Sequence, residues 1–331
     1  MLRSTLHGGF KPLARALSAS ATTAPLLVSP TELHALRAAG DVAVLDASWH
    51  MPNSPRNARE EFLAKRIPGA RYLSLDDVAS THELGLAHMM PSGEAFARAL
   101  EDFGVTPTSH VILYDSHGIF SAPRALFMLR SFGHERSSVL DGGLPRWEAE
   151  GRSVEAGPIG ETAKGTYPVP PAPSDAVRSY EQMVQNSTGD LSTDLTAELV
   201  VDARARGRYL GTTPEPRPGL PSGHIPGSFS LPFDTFLQTN NVPNSDKTYT
   251  TYLPPDELRK KLVDAVGPEH AQQVIDGKRA ITTTCGSGMT AGVLWLGLKL
   301  IAWSTKVALY DESWTGYASR AQSPIATGDK P

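Results

Sequence analysis

The chain has 331 residues, 40% hydrophobic and 20% charged, with a formal net charge of -4 and one cysteine. That length points to two domains, and the charge balance, without a Lys/Arg run, excludes nucleic acid as a partner. The longest apolar stretch, Ala291 to Trp303, is interrupted by Lys299 and falls short of the roughly 18 residues that cross a bilayer, so no membrane is expected.

Residues 1–24 differ from the rest. Met1 to Thr31 holds no Asp or Glu, while Arg3, Lys11 and Arg15 are basic. Leu2, Leu6, Phe10, Leu13 and Leu17 recur as on one helical face. This reads as a mitochondrial transit segment and predicts a mitochondrial location, with a cytoplasmic form as the alternative.

In residues 25–156, Asp41 to Asp46 reads as a buried strand, and Arg66-Ile67-Pro68-Gly69-Ala70 as a turn. Val111 to Asp115 is a second strand, Ser116 to Phe120 a loop, Ser121 to Phe132 a helix, and a further strand ends at Leu140-Asp141. Residues 157–174, with Pro158, Pro168, Pro170, Pro171 and Pro173, form a stiff linker. The pattern then returns over 175–331. Leu199 to Asp202 is the strand, Gly223-His224-Ile225-Pro226-Gly227 the turn, Ala280 to Thr284 the next strand, and Cys285 to Thr290 the loop. Ala291 to Ala302 is the helix, and Tyr310-Asp311 closes the copy. From Asp115 to Asp141 and from Cys285 to Asp311 the separation is 26 in both, and a tryptophan, Trp147 or Trp314, follows shortly. The chain is a tandem duplication of α/β domains, each a mostly parallel sheet flanked by helices on both faces. Gly211 to Pro221 and Gln238 to Pro255 read as long irregular excursions over a domain face.

A lone cysteine excludes an internal disulfide framework and a cysteine-cluster metal site, and is by itself more often a small buried hydrophobe. Its neighbours change that reading. Cys285-Gly286-Ser287-Gly288-Met289-Thr290 lies between a strand and a helix. Two glycines let successive N–H groups turn toward one point, and the following helix adds unpaired donors and partial positive charge. Such a nest favours a thiolate, or a persulfide anion on the same sulfur, without a neighbouring base. A phosphate-binding loop or a plain tight turn is the alternative. In the first copy Asp115 takes the place of Cys285, so that domain is expected to be structural.

Asp46-Ala47-Ser48-Trp49, Ile67-Pro68-Gly69-Ala70, Ser121-Ala122-Pro123-Arg124, Leu140-Asp141-Gly142-Gly143, Gly223 to Gly227 and the Cys285 loop together resemble the rhodanese superfamily. Within it the chain is most similar to the two-domain 3-mercaptopyruvate sulfurtransferases. The resemblance implies a non-catalytic rhodanese-like domain at 25–156 and a catalytic one at 175–331. It also implies sulfur transfer from 3-mercaptopyruvate, through a Cys285 persulfide, to a thiol such as thioredoxin or glutathione, or to cyanide. No cofactor and no metal are implied. Gly286, Gly288, Met289 and Thr290 shape the substrate loop, Ser287 bonds the sulfur or leaving group, and Arg208 and Arg217 match the family's two substrate-binding arginines. Paired guanidinium forks suit an α-keto acid. The uncharged loop disfavours thiosulfate, which stays as the alternative donor. A persulfide relay to a protein acceptor, thioredoxin or the tRNA-thiolation machinery, is the other alternative. Where animal members carry an Asp and a His in the first domain, this chain has Asn57 and Arg66. Neither can form that proton relay, and Arg66 is expected instead to add positive charge to the cleft.

Overall fold

The computed structural model describes residues 23–329, so nearly all of the transit segment expected at residues 1–24 lies outside the described residues. The first half contributes strands β1 (Leu27–Val28), β2 (Val42–Asp46), β3 (Arg71–Tyr72), β4 (His110–Tyr114) and β5 (Ser137–Leu140). The second contributes β6 (Val177–Arg178), β7 (Leu199–Asp202), β8 (Ser228–Ser230), β9 (Leu237–Asn241), β10 (Thr248–Tyr252), β11 (Ile281–Thr284) and β12 (Val307–Tyr310). Two five-stranded sheets form, in the orders β1-β5-β4-β2-β3 and β6-β12-β11-β7-β8. Every neighbouring pair within them is parallel, and the two orders coincide when the repeats are overlaid. The central strands are buried along their length, as expected where helices cover both faces of a parallel sheet.

Local chemistry repeats with the topology. The first strand of each sheet leads into a helix opened by a capping box, Ser29 with Glu32 and Ser179 with Gln182. Each box satisfies two otherwise unpaired helix donors and fixes where the helix starts.

The helices that follow the two equivalent loops, Ala122–Ser131 and Ala291–Ile301, pack against each other between the sheets. Their side chains belong to one continuous core drawn from both domains, with Phe127 edge-on to Trp295 at 5.4 Å. Close approach depends on Gly292, where an added Cβ would lie 2.7 Å from the Arg124 backbone nitrogen. The interface is tied reciprocally by the two repeat aspartates. Asp311 pairs with Arg124 at 2.5 Å and accepts from the Met90 N–H, while Asp141 accepts from the Tyr252 N–H. Buried pairs of this kind fix geometry more than they add stability.

One expectation is corrected. Residues 238–255 are not irregular: β9 and β10 pair as an antiparallel hairpin that lies over the first domain, with Arg146 above the Tyr249 ring. Residues 157–174 lack regular structure and form a strap fastened to the first domain. Tyr167 packs edge-on to Phe96 and bonds His134, and the Gly165 N–H reaches the Glu101 carbonyl.

Candidate active site

The register of the second sheet builds the site. Asp202 at the end of β7 lies opposite Thr284 at the end of β11, so the chain leaves both strands at the same C-terminal edge. In open parallel sheets this edge is where ligands bind. The residue after β11 is Cys285, buried at the mouth of its loop, whose Sγ accepts the Gly288 N–H at 3.2 Å. The loop carbonyls are occupied elsewhere: Trp314 donates to the Cys285 carbonyl, and Thr315 donates to that of Gly286 through both N–H and Oγ1.

The two glycines serve different ends. Gly288 adopts φ +84°, and an added Cβ would lie 2.7 Å from the Asp311 carbonyl, so glycine is required there for conformation and space. Gly286 leaves room for the arginines, since its missing Cβ would lie 3.1 Å from Arg208 Nη2 and 3.5 Å from Arg217 Nη1.

Cys285, Gly286, Ser287, Met289 and Thr290 line a cavity of roughly 240 Å³ together with Arg204, Arg208 and Arg217. Trp49, Met51 and Phe120 of the first domain close its other side, Trp49 and Phe120 lying nearly parallel at 6.4 Å. Gly288 does not line the cavity and acts through its N–H. Ser287 Oγ has no hydrogen-bond partner among the described residues, and Ser287 also lines an adjoining cavity of roughly 430 Å³ that shares Trp49 and Arg217.

The arginines are not alike. Arg208 is held side-on by Glu215, Nε to Oε1 at 3.0 Å and Nη2 to Oε2 at 2.5 Å. Arg204, buried beneath them, is clamped by Asp202 and also reaches Glu215 Oε1 at 2.9 Å. Arg217 has no hydrogen-bond or ion-pair partner among the described residues. Burial depresses its pKa; the Cys285 sulfur opposes that shift and Arg208 adds to it.

Asn57 and Arg66 stand outside the cavity. Asn57 is the exposed N-cap of the helix Ala58–Ala64, accepting from Arg59 and Glu60. Arg66 is buried against Glu155 at 2.7 Å and the Gly157 carbonyl at 2.7 Å, where it fastens the start of the strap. The expectation that it adds charge to the cleft is therefore corrected: its guanidinium is fully engaged elsewhere.

Several residues escaped the sequence reading. Ser313 Oγ accepts the Cys285 N–H at 3.1 Å and sits 4.0 Å from Sγ, while the residue adopts φ +51°. A serine in that region is uncommon, and such strain gathers at working sites. Trp49 is anchored by Nε1 to Asp76, which also binds His88. His50, in the adjoining cavity, bonds His117 at 2.9 Å and Glu61 at 3.1 Å. Glu215 lay within the Pro214-Glu215-Pro216-Arg217 segment, but nothing in the sequence says which carboxylate meets which arginine.

A cysteine cradled after a parallel strand, in a fold that repeats the same domain with a carboxylate in place of the sulfur, defines a tandem sulfurtransferase architecture. The chain belongs to the rhodanese-like family: the Rhodanese-like domain model matches residues 29–150 and again 185–320. It is 36% identical to "Thiosulfate/3-mercaptopyruvate sulfurtransferase 1, mitochondrial" of Arabidopsis thaliana, over 98% of this chain and 84% of that one. It is 35% identical to the 3-mercaptopyruvate sulfurtransferase of Rattus norvegicus, over 94% of each. Among solved structures, SseA from Escherichia coli, a 3-mercaptopyruvate sulfotransferase by description, superposes with a TM-score of 0.70 at 28% identity, covering 88% of this chain and 99% of that one. Among the described residues no helix is long and apolar enough to cross a membrane, and no group of three or more His, Cys, Asp or Glu could hold a metal ion.

Proposed function

We propose that this protein transfers sulfur from 3-mercaptopyruvate through a persulfide on Cys285. The observation that carries the reading is the convergence of Arg208 and unpartnered Arg217 over Gly286, beside the cradled sulfur, in a cavity of small-molecule size. An α-keto acid offers a carboxylate and a keto oxygen to such a pair. The Cys285 thiolate attacks the donor sulfur, the carbon–sulfur bond breaks, and the electron pair leaves as the pyruvate enolate. The outer sulfur keeps its proton until the enolate or water takes it, leaving pyruvate and the Cys285 persulfide. A thiolate then attacks the outer sulfur and frees Cys285, a double displacement through a covalent intermediate. The Gly288 N–H and the N-terminus of the helix Ala291–Ile301 stabilise the anion at each stage. Ser287 is assigned to the leaving group because its hydroxyl is uncommitted in both cavities. Thioredoxin or glutathione is the assigned acceptor, and the mitochondrion the assigned location, in keeping with the acid-free N-terminal segment.

The test is sulfur transfer to cyanide from 3-mercaptopyruvate and from thiosulfate, with Cys285→Ser as control. A mercaptopyruvate preference that disappears in the control supports donor and nucleophile together. Better turnover of thiosulfate removes the donor assignment, and activity in the control removes the nucleophile.

A further inference from the structure

Three guanidinium groups, Arg204, Arg208 and Arg217, surround the cavity, and two buried carboxylates stand behind them. Asp202 cancels Arg204: its two oxygens take Nε at 3.0 Å each and Nη2 at 2.5 Å. Glu215 does the same for Arg208, at 3.0 and 2.5 Å. Its side chain is 2% exposed, so water does not screen it. What remains is one uncancelled positive charge, on Arg217, facing one sulfur anion on Cys285. Asp202 ends β7 and meets Arg204 alone of the three arginines, whereas Glu215, on the loop and absent from the cavity wall, bridges Arg204 and Arg208. Among the described residues its side chain bonds Arg204 and Arg208 and nothing else, so it acts on the reaction through them.

We propose that Glu215 sets both the geometry and the charge of this site. It holds Arg208 side-on, with Nη1 left for the substrate, and it lowers the positive charge of the cavity to a value that suits a donor with a single carboxylate. A dianion such as thiosulfate meets a site already balanced by its own thiolate, and the extra negative charge is repelled. Donor choice is thus decided by a carboxylate behind the wall as well as by the uncharged loop. The donor half of this statement rests on the function proposed above; the charge half does not.

Because Cys285 is the single cysteine, its reactivity can be followed without any sulfur donor. The experiment uses the full chain with Glu215→Gln, which keeps shape and the acceptor for Arg208 Nε while removing the charge. Thermal melting first establishes that the variant is folded. Alkylation of Cys285 by iodoacetamide is then measured against pH, and the profile is expected to move to lower pH by about half a unit or more, since a nearby negative charge no longer opposes the thiolate. In the cyanide assay, the kcat/KM of thiosulfate relative to 3-mercaptopyruvate is expected to rise by about tenfold. An unmoved alkylation profile, or both donors declining by the same factor in a folded variant, overturns the proposal and leaves Glu215 a purely structural residue. Should Glu215→Gln fail to fold, Arg208→Gln makes the opposite test. Its alkylation profile should move to higher pH, and no movement overturns the proposal equally. If the wild-type chain used neither donor while the alkylation shift held, the proposed function would fall and the charge-setting role would stand.

Discussion

In the first repeat the loop after β4 closes on a carboxylate; in the second, the loop after β11 opens on a sulfur. Asp115 accepts hydrogen bonds from the N–H groups of His117, Gly118, Phe120, Ser121 and Ala122 at 2.8 to 3.0 Å. The Cys285 sulfur accepts one N–H, that of Gly288, with the Ser313 hydroxyl more distant at 4.0 Å. Both loops turn on a left-handed glycine three residues on, Gly118 at φ +109° and Gly288 at +84°. The first repeat therefore displays the anion nest with an anion built into it, and the second shows the same nest left for chemistry. The surroundings differ in the same sense. Hairpin β9–β10 covers the first loop, bringing the Thr250 carbonyl to 3.3 Å from where a Gly118 Cβ would be, whereas the second loop keeps a cavity.

The comparison extends to the residues beneath each loop. Asp115 and Cys285 are both braced through their carbonyls, by the Leu144 and Trp314 N–H groups. The preceding residue is Gly143 in one repeat and Ser313 in the other, each at φ +51°. Glycine adopts that angle freely; serine does so at a cost and brings an oxygen that holds the Cys285 N–H. Likewise Asp202 keeps Arg204, while its counterpart Asp46 is followed by Ser48 where the arginine would be. Burial without a cation pushes Asp46 up to about 6, against hydrogen bonds from Ser48 that pull it down.

The sharpest way to break the comparison is to empty the first nest. Asp115→Ala should cost about 3–5 kcal/mol in urea unfolding, because several buried N–H groups lose their partner. Cys285→Ala should change stability by within about 1 kcal/mol while abolishing turnover. Equal stability losses would mean that the two loops are built alike after all. A middle-sized effect is expected at Ser313. Ser313→Ala keeps the strained angle and loses the oxygen, and should lower kcat by about tenfold, or ~1.4 kcal/mol. Ser313→Gly should lower kcat similarly while melting higher than the alanine variant, since glycine relaxes the backbone. Wild-type rates in both would remove Ser313 from the catalytic loop's support.

The smallest effect concerns Asp46. Its folded pKa lies above the unfolded value of about 3.9, so the native state binds the extra proton and stability falls as pH rises from about 4 to about 6. At pH 8 the penalty is complete, on the order of 3 kcal/mol, and at pH 4 it is nearly absent. Asp46→Asn should therefore raise the melting temperature by a few degrees (about 2–6 °C) at pH 8 and leave it unchanged near pH 4. Asp202→Asn, which leaves buried Arg204 only the Glu215 carboxylate it shares with Arg208, should lower it at pH 8. A uniform gain for Asp46→Asn across pH would show that charge is not the cause.

Much of this was legible in the order of residues. Repeat landmarks at equal spacing announce two copies of one domain, because a strand, turn and helix must each recur for the second copy to bury its core. The glycine-flanked cysteine announces its own nest, because that geometry is local, formed by consecutive backbone groups. Arg208 and Arg217 came from a resemblance, and the fold brought them together over Gly286. Arg66 shows the opposite case: its motif matched, but its side chain turned to Glu155 and the strap.

The sequence by itself determined that the chain is a duplicated parallel α/β protein, and that one copy carries a cysteine where the other carries a carboxylate. These follow from local periodicity and from residue identity at repeat positions. Only the tertiary structure decided that Arg208 is spoken for by Glu215 while Arg217 has no such partner among the described residues, that Ser313 holds the cysteine in place, and that Trp49 and Phe120 of the first domain wall the cavity. Charge cancellation and cavity shape arise from contacts between segments far apart in the chain, and no spacing rule records which partner a long side chain will reach.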